Sequence, residues 1–328
     1  MREPVTMPAF FTPWLKRAGY LDQLWVRIGH VGSRPISEAD DWGQQGWDVF
    51  APNLEIYGFD ADPDACEAAN TAVAEKGIPW PEIHVPLVLS DRCDTQTLYI
   101  TQDPMCSSLY PPNEPFLTRF QVEMEMMKGV ATVEVETTTL DVFCQEQNLP
   151  GFDYLRTDVQ GADLDVLRGA ARILAEHLLV VEMEVIFSPL YLGQPLFADV
   201  DTFLRQQGFT LFQLSLHVGA TRRLFPVVNN PMVYRGQKLW GDAVYVRDVL
   251  DPATSEPWRS PERIFKLACL MDVRGYWDYA AELLVHLIEN HRWPLQDPLL
   301  QAIQEQIPAE TQAQIPLVEY LHKALAHT

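Results

Sequence analysis

Two rhythms of apolar residues alternate along the chain. Period-two or short continuous apolar runs predict strands over residues 24–28, 55–59, 83–89, 97–101, 130–138 and 152–158. Later strands are expected over 178–181, running on into Glu182-Met183-Glu184, and over 209–216, 232–234 and 243–247. Between them, three- and four-residue spacing predicts helices. One runs over 63–76, where Pro63 sits in a first turn that does not need its missing N–H. Another follows Gly161, with Leu164, Leu167, Ala171 and Leu174 on one side, and a third runs over 197–207 and stops at Gly208. Residues 105–120 form a Pro-rich, irregular connection, and 1–22 a lead-in with one short helix over 10–18. Repeated strand and helix predict an α/β fold with a mostly parallel sheet covered on both faces. The last strands are separated by turns without helices, so the sheet should have an antiparallel edge.

The rhythm changes at 251–261, a stretch rich in Pro, Ser and Glu, and beyond it only the helical period remains. Ile264, Leu267, Ala268 and Met271 make one stripe; after Gly275, Ala280, Leu283, Leu284, Leu287 and Ile288 make a second. Two such helices and a short turn form an αα-hairpin. The run resembles half of a tetratricopeptide pair, a unit that cannot bury its own face. It is expected to pack on the α/β domain, on a protein partner or on another copy, or to serve as a plain helical cap. The expected organisation is a lead-in (1–22), an α/β domain (23–250) and a helical extension (251–328).

Composition narrows the partners. With 24 basic and 45 acidic side chains the formal charge is −21, a field that repels nucleic acid and anionic membranes. A small molecule, a neutral glycan or a protein surface suits it better. The 5 cysteines, Cys66, Cys93, Cys106, Cys144 and Cys269, are scattered without a Cys-x-x-Cys pair. Neither a zinc site nor a disulfide framework is expected, and a reducing, cytoplasmic setting is. No stretch reaches the roughly 18 apolar residues of a membrane span, and the first residues lack a signal-like apolar run.

Candidate chemistry gathers at strand ends. Open α/β sheets bind ligands beyond the carboxyl ends of their strands. Asp158 ends one strand just before Gly161 and a helix; Asp60 ends the second strand; Gly29 and Gly32 follow the first; Ser90 and Asp91 follow the third. Each has a plainer reading. Asp62 and Asp64 suit a helix N-terminus, Ser90-Asp91 a turn cap, the glycines a tight turn, and Asp158 a structural acid. His30, His84 and His217 are alternative bases, although a lone histidine is more often structural. No Gly-x-Gly-x-x-Gly follows the first strand, which speaks against a nicotinamide dehydrogenase.

The segment YLRTDVQGADLDVLRGA, Tyr154 to Ala170, closely resembles the signature of the FkbM methyltransferases: Lys-Ile-Asp-(Val/Ile)-(Glu/Gln)-Gly-Ala-Glu, then a Val-Leu-x-Gly-Ala helix. Arg156 and Thr157 stand for Lys-Ile, and Asp163 for the second acid. The run from Gly58 to Pro63 resembles the family's Phe-Glu-Pro-Asp-Pro, Ser90-Asp91 its Leu-Ser-Asp, and Ser107-Ser108-Leu109 its Ser-Ser-Leu. Phe187 to Tyr191 resembles its Glu-x-x-Phe-x-Pro-Leu-Tyr, with the acid falling on Glu184.

The resemblance implies a Rossmann-like fold and an S-adenosyl-L-methionine (SAM)-dependent O-methyltransferase acting on a hydroxyl of a sugar, glycan or secondary metabolite. It would give the ribose to Asp60, with Asp62 beside it, the turn to Gly29 and Gly32, and the adenine edge to Ser90 and Asp91. Asp158 would be the general base, with Glu182 second. Ser108, Gln160, Glu184 and Tyr191 would line the acceptor pocket. No metal is implied. One departure stands out: where the family has Asp-x-Gly-Ala at the first turn, this chain has Arg27. Arg27 would then hold the cofactor's carboxylate, neutralise Asp158, or mark a site that has lost its cofactor. The last option describes a non-catalytic scaffold. A further alternative is a metal-dependent glycosyltransferase using Asp60-Ala61-Asp62 as its Asp-x-Asp.

Overall fold

The computed structural model describes residues 8–35, 40–120, 122–216, 220–224 and 236–325. His217 and the strand expected over 232–234 lie outside them. A seven-stranded sheet runs in the order β3-β2-β1-β7-β8-β10-β9. Its strands are β1 (Val26–Val31), β2 (Leu54–Asp60), β3 (Glu82–Pro86), β7 (Tyr154–Thr157), β8 (Val180–Ile186), β9 (Thr210–Leu216) and β10 (Trp240–Val246). The first five are mutually parallel, and β10 is antiparallel to both its neighbours, which makes the expected edge. A three-stranded sheet, β4 (Val88–Leu89), β6 (Gly129–Thr138) and β5 (Asp94–Thr101), stands beside it. The single strand expected over 83–89 is therefore two, and the second half leaves the main sheet to pair with β6.

Alternation decides which face each strand residue covers. Leu155, Val181, Met183, Val185, Ala243 and Tyr245 share one core with α4 (Leu140–Glu146), α5 (Asp163–Arg168), α6 (Ala171–Glu176) and α7 (Phe197–Gln206). The single helix expected after Gly161 is broken between α5 and α6. A Cβ at Gly169 would lie 2.1 Å from the Ser90 carbonyl oxygen. There the Asp141 carboxylate accepts from Arg172 N (2.7 Å) and Ile173 N (3.1 Å), satisfying the new helix start. On the outer sheet edge, α2 (Pro63–Lys76) packs against β2 and β3.

The opposite face is built differently from a regular βαβ unit. Among the described residues between β1 and β2 there is no α-helix, only a 3-10 turn, Trp47–Phe50, with Trp42, Trp47 and Phe50 buried. The cover comes from the two ends of the chain. Val26, Ile28, Leu54, Ile56, Tyr154, Val180, Val244 and Val246 share one core with α1 (Thr12–Arg17), α8 (Pro261–Val273), α9 (Trp277–His291) and α10 (Gln296–Gln306). Two short helices, α11 (Ala309–Gln312) and α12 (Pro316–Leu325), close the chain. α8 and α9 form the expected hairpin, and their apolar stripes lie on the sheet. The last three helices were missed: the Gln-rich surface of α10 hides a short stripe of Leu299, Leu300, Ala302 and Ile303, and α12 adds only Leu321 fully buried.

Polar ties join these ends. Buried Asp272 accepts from Phe10 N and Phe11 N (both 3.1 Å), Thr12 N (2.8 Å) and Thr12 Oγ1 (2.6 Å). Lys266 pairs with Asp153 at 2.8 Å, and Arg274 with Glu182 at 2.6 Å. Among the described residues no helix is long and apolar enough to cross a membrane.

Candidate active site

The carboxyl ends of β1, β2 and β7 are fastened to one another. Gly32 N and Ser33 N donate to the Phe59 carbonyl (2.8 and 3.0 Å), and Asp158 N donates to the Val31 carbonyl (2.9 Å). This fit needs glycine at one position. Gly32 has φ +79°, and a Cβ there would lie 2.0 Å from the Asp158 carbonyl oxygen. Gly32→Ala should therefore cost about 2–4 kcal/mol from strain and clash together. Urea unfolding measures it, and a loss below about 1 kcal/mol would contradict this close approach.

Beyond these ends opens a cleft of about 870 Å³, solvent mouth included. Asp60 and Asp158 both line it, as do Gly32, Arg34 and Ser108. Its apolar wall is Val31, Phe59, Leu87, Val88, Leu89, Leu98 and Met105. The acids expected from two separate strands thus face one space, on either side of β1.

Gln160 organises the floor from a left-handed backbone, φ 54°. Its Nε2 donates to Asp158 Oδ1 (2.7 Å), with Glu184 Oε2 at 3.4 Å, and its Oε1 accepts from Tyr191 OH (3.0 Å). Its carbonyl accepts from Ser108 Oγ at 2.8 Å. Ser108, Asp158, Gln160, Glu184 and Tyr191 are thereby one network, and Tyr191 is fully buried within it.

Asp163 lies behind that network, buried, and accepts from Val159 N and Gly161 N at 3.3 Å each. Burial and then the charge of Asp158 push its carboxyl up to about 7. The same two causes, with Asp163 added, push Glu184 well above the usual glutamate value. Both of these carboxyls are thus driven towards the protonated form.

Because folded Asp163 holds its proton more tightly than the unfolded chain, it stabilises fully below about pH 4. That contribution is lost as pH rises through about 7. Asp163→Asn, which cannot ionise, should gain stability relative to wild type between pH 5 and 8. Chemical denaturation at both pH values checks this; a flat or reversed difference would count against it.

Several expected residues lie elsewhere. Gly29 is inside β1 rather than at its turn, where a Cβ would sit 3.0 Å from Leu155 Cδ1. It permits interior packing and does not line the cleft. Arg27, near the amino end of β1, is ion-paired with Glu55 and does not line the cleft. Counted back from the true turn glycine, the family's acid position falls on His30. That ring is buried against Trp42, and burial and then Arg156 hold it well below the usual histidine value.

Asp62 caps α2, accepting from Asp64 N (2.9 Å), and is ion-paired with Arg34. Ser90 and Asp91 stand just past the wall residue Leu89. Ser90 is buried and accepts from Gln96 Nε2 at 3.0 Å, while Asp91 pairs with Arg92 at 2.9 Å. Glu182 is opposite Arg156 in the parallel ladder, one pleat below Glu184. Its carboxylate is taken by Arg274 and the Tyr154 hydroxyl, so it braces the C-terminal helices instead of serving the cleft. Arg34 was missed; the signal available was a cation two residues after the turn glycine.

Residues 45–211 match the family model described as the methyltransferase FkbM domain. The chain belongs to the FkbM methyltransferase family. A solved FkbM methyltransferase from Methylobacillus flagellatus KT is 12% identical, with TM-score 0.36, over 73% of this chain and 48% of that one. This chain thus spans about half the length of that relative. An uncharacterized protein from Listeria monocytogenes serotype 4b is 11% identical, with TM-score 0.31, over 95% and 96% of the two chains. A SAM dependent methyltransferase from Aquifex aeolicus is 9% identical, with TM-score 0.27, over 73% and 91%. No curated protein matches. The cofactor implied for an FkbM chain is S-adenosyl-L-methionine. Its cleft suits that molecule: the apolar wall is fit for adenine, Asp60 for a pair of ribose hydroxyls, and Asp158 for a sulfonium cation.

Proposed function

We propose that this FkbM chain is a SAM-dependent O-methyltransferase acting on a hydroxyl of a sugar, glycan or small metabolite, with Asp158 as general base. One observation carries the reading: Asp60 and Asp158, from strands flanking β1, line the same cleft. In this reading Asp60 accepts from the ribose, and Gly32, itself lining the cleft, lets the tip of β7 that carries Asp158 close on β1. When bound, SAM supplies an electrophilic methyl group. Asp158 takes the acceptor hydroxyl's proton. Gln160 fixes the orientation of its carboxylate, and Asp163 and Glu184 behind it are biased towards protonation. Ser108, which also lines the cleft, and buried Tyr191 hold Gln160 in place.

The glycosyltransferase alternative fits less well, since Asp62 is committed to the α2 cap and to Arg34. The departure that motivated a scaffold sits at buried His30 rather than at Arg27, which is turned to Glu55. Five free cysteines suit a reducing compartment, and we place the protein in the cytoplasm.

Titration calorimetry with SAM tests the reading. Wild type should bind, and Asp60→Ala should bind at least about tenfold more weakly, the loss of two hydrogen bonds to a charged acceptor. Equal affinity in the two proteins would remove Asp60 from its role; no binding to a folded wild type would remove the enzyme.

A further inference from the structure

We propose that Ser33, His84 and Glu82 form a positioning relay that holds the turn after β1 against β3 and so sets the affinity for the nucleoside cofactor. The cofactor part rests on the SAM reading above. Ser33 Oγ lies 3.0 Å from His84 Nδ1, and His84 Nε2 lies 3.4 Å from Glu82 Oε1. With the ring proton on Nε2 facing Glu82, Nδ1 accepts the Ser33 hydroxyl. The order serine, histidine, acid resembles a hydrolytic constellation. Burial argues against that use: Ser33 is 2% and His84 6% exposed, so no substrate bond can reach the hydroxyl.

Its position gives it another job. The neighbours of Ser33, Gly32 and Arg34, both line the cleft, while Ser33 itself points down to β3. A second observation is independent of the distances. Gly58 lies inside β2, where glycine weakens a strand. A Cβ there would lie 2.4 Å from His84 Nδ1 and 2.6 Å from Ser33 Oγ. The strand thus accepts a poor residue where the relay passes. The far end is fixed too, because Asn70 of α2 accepts from His84 N (2.8 Å) and donates to its carbonyl (2.7 Å). Asp158 is carried by β7 and tied to the Val31 carbonyl, ahead of the turn that Ser33 fixes, so loosening the turn should alter binding more than turnover.

The test uses Ser33→Ala and His84→Asn in the full chain, read by amide hydrogen exchange without ligand and by SAM titration. Ser33→Ala should speed exchange at positions 32 and 33 about tenfold, with the global unfolding midpoint nearly unchanged. It should also raise the SAM Kd about fivefold. His84→Asn, whose Oδ1 stands where Nδ1 did and can still accept the Ser33 hydroxyl, should keep both exchange and affinity close to wild type. Unchanged exchange in Ser33→Ala overturns the relay. Faster exchange in a protein whose wild type ignores SAM upholds the turn-holding relay and overturns the cofactor reading instead.

Discussion

Asp158→Asn should lower kcat by about 10²–10⁴-fold while moving the SAM Kd by no more than about twofold, the pattern of a lost general base. The amide keeps the shape of the carboxylate and can still accept from Gln160, so binding geometry survives. What it lacks is the ability to take a proton. Glu182→Gln is the matched control. Its carboxylate sits a pleat below the cleft in an ion pair with Arg274, so the substitution should cost stability and leave kcat within a few-fold. Steady-state kinetics on both variants, with the acceptor found by labelled-methyl screening, separates the two residues. A slow Glu182→Gln beside a fast Asp158→Asn would reverse the assignment.

The largest stability effect should come from a residue remote from the cleft. Asp272→Ala is expected to cost about 3–5 kcal/mol. Its buried carboxylate serves three successive backbone N–H groups, at Phe10, Phe11 and Thr12, and the Thr12 hydroxyl. Removing it orphans those donors at the start of α1 and frees the segment that packs Phe10, Phe11, Trp14 and Leu15 beneath the C-terminal helices. Urea unfolding gives the energy, and amide exchange at positions 10–12 gives the location. A loss under about 1 kcal/mol would mean that the two chain ends do not depend on this carboxylate.

Local signals were legible where local physics decides. The bounds of α2 follow from Pro63 at its first position, with Asp62 as cap, and from Gly77 in the left-handed conformation at its end. The parallel sheet, its antiparallel edge and the two acids could be read for the same reason: strands alternate with helices, and acids stand at strand tips. Errors arose where a distant neighbour decides. Gly29 and Gly32 look alike in one dimension, yet one makes room for Leu155 and the other for the tip of β7. Reading the turn three residues early also moved the apparent departure from the family onto Arg27. Glu182 and Glu184 share a strand face, and only the position of Arg274 on α8's far end separates brace from floor. Gly169 interrupts a continuous helical period because the Ser90 carbonyl approaches it. The role of the terminal helices was similarly hidden, since they cover a face that the β1–β2 crossover leaves without an α-helix among its described residues.

A structure of the protein with S-adenosylhomocysteine, the demethylated product, tests the central claim most directly. The account places the ribose hydroxyls on Asp60 and turns the sulfur towards Asp158 across the end of β1. A nucleoside bound outside this cleft, or inside it without touching Asp60 and with its sulfur turned away from Asp158, would contradict it.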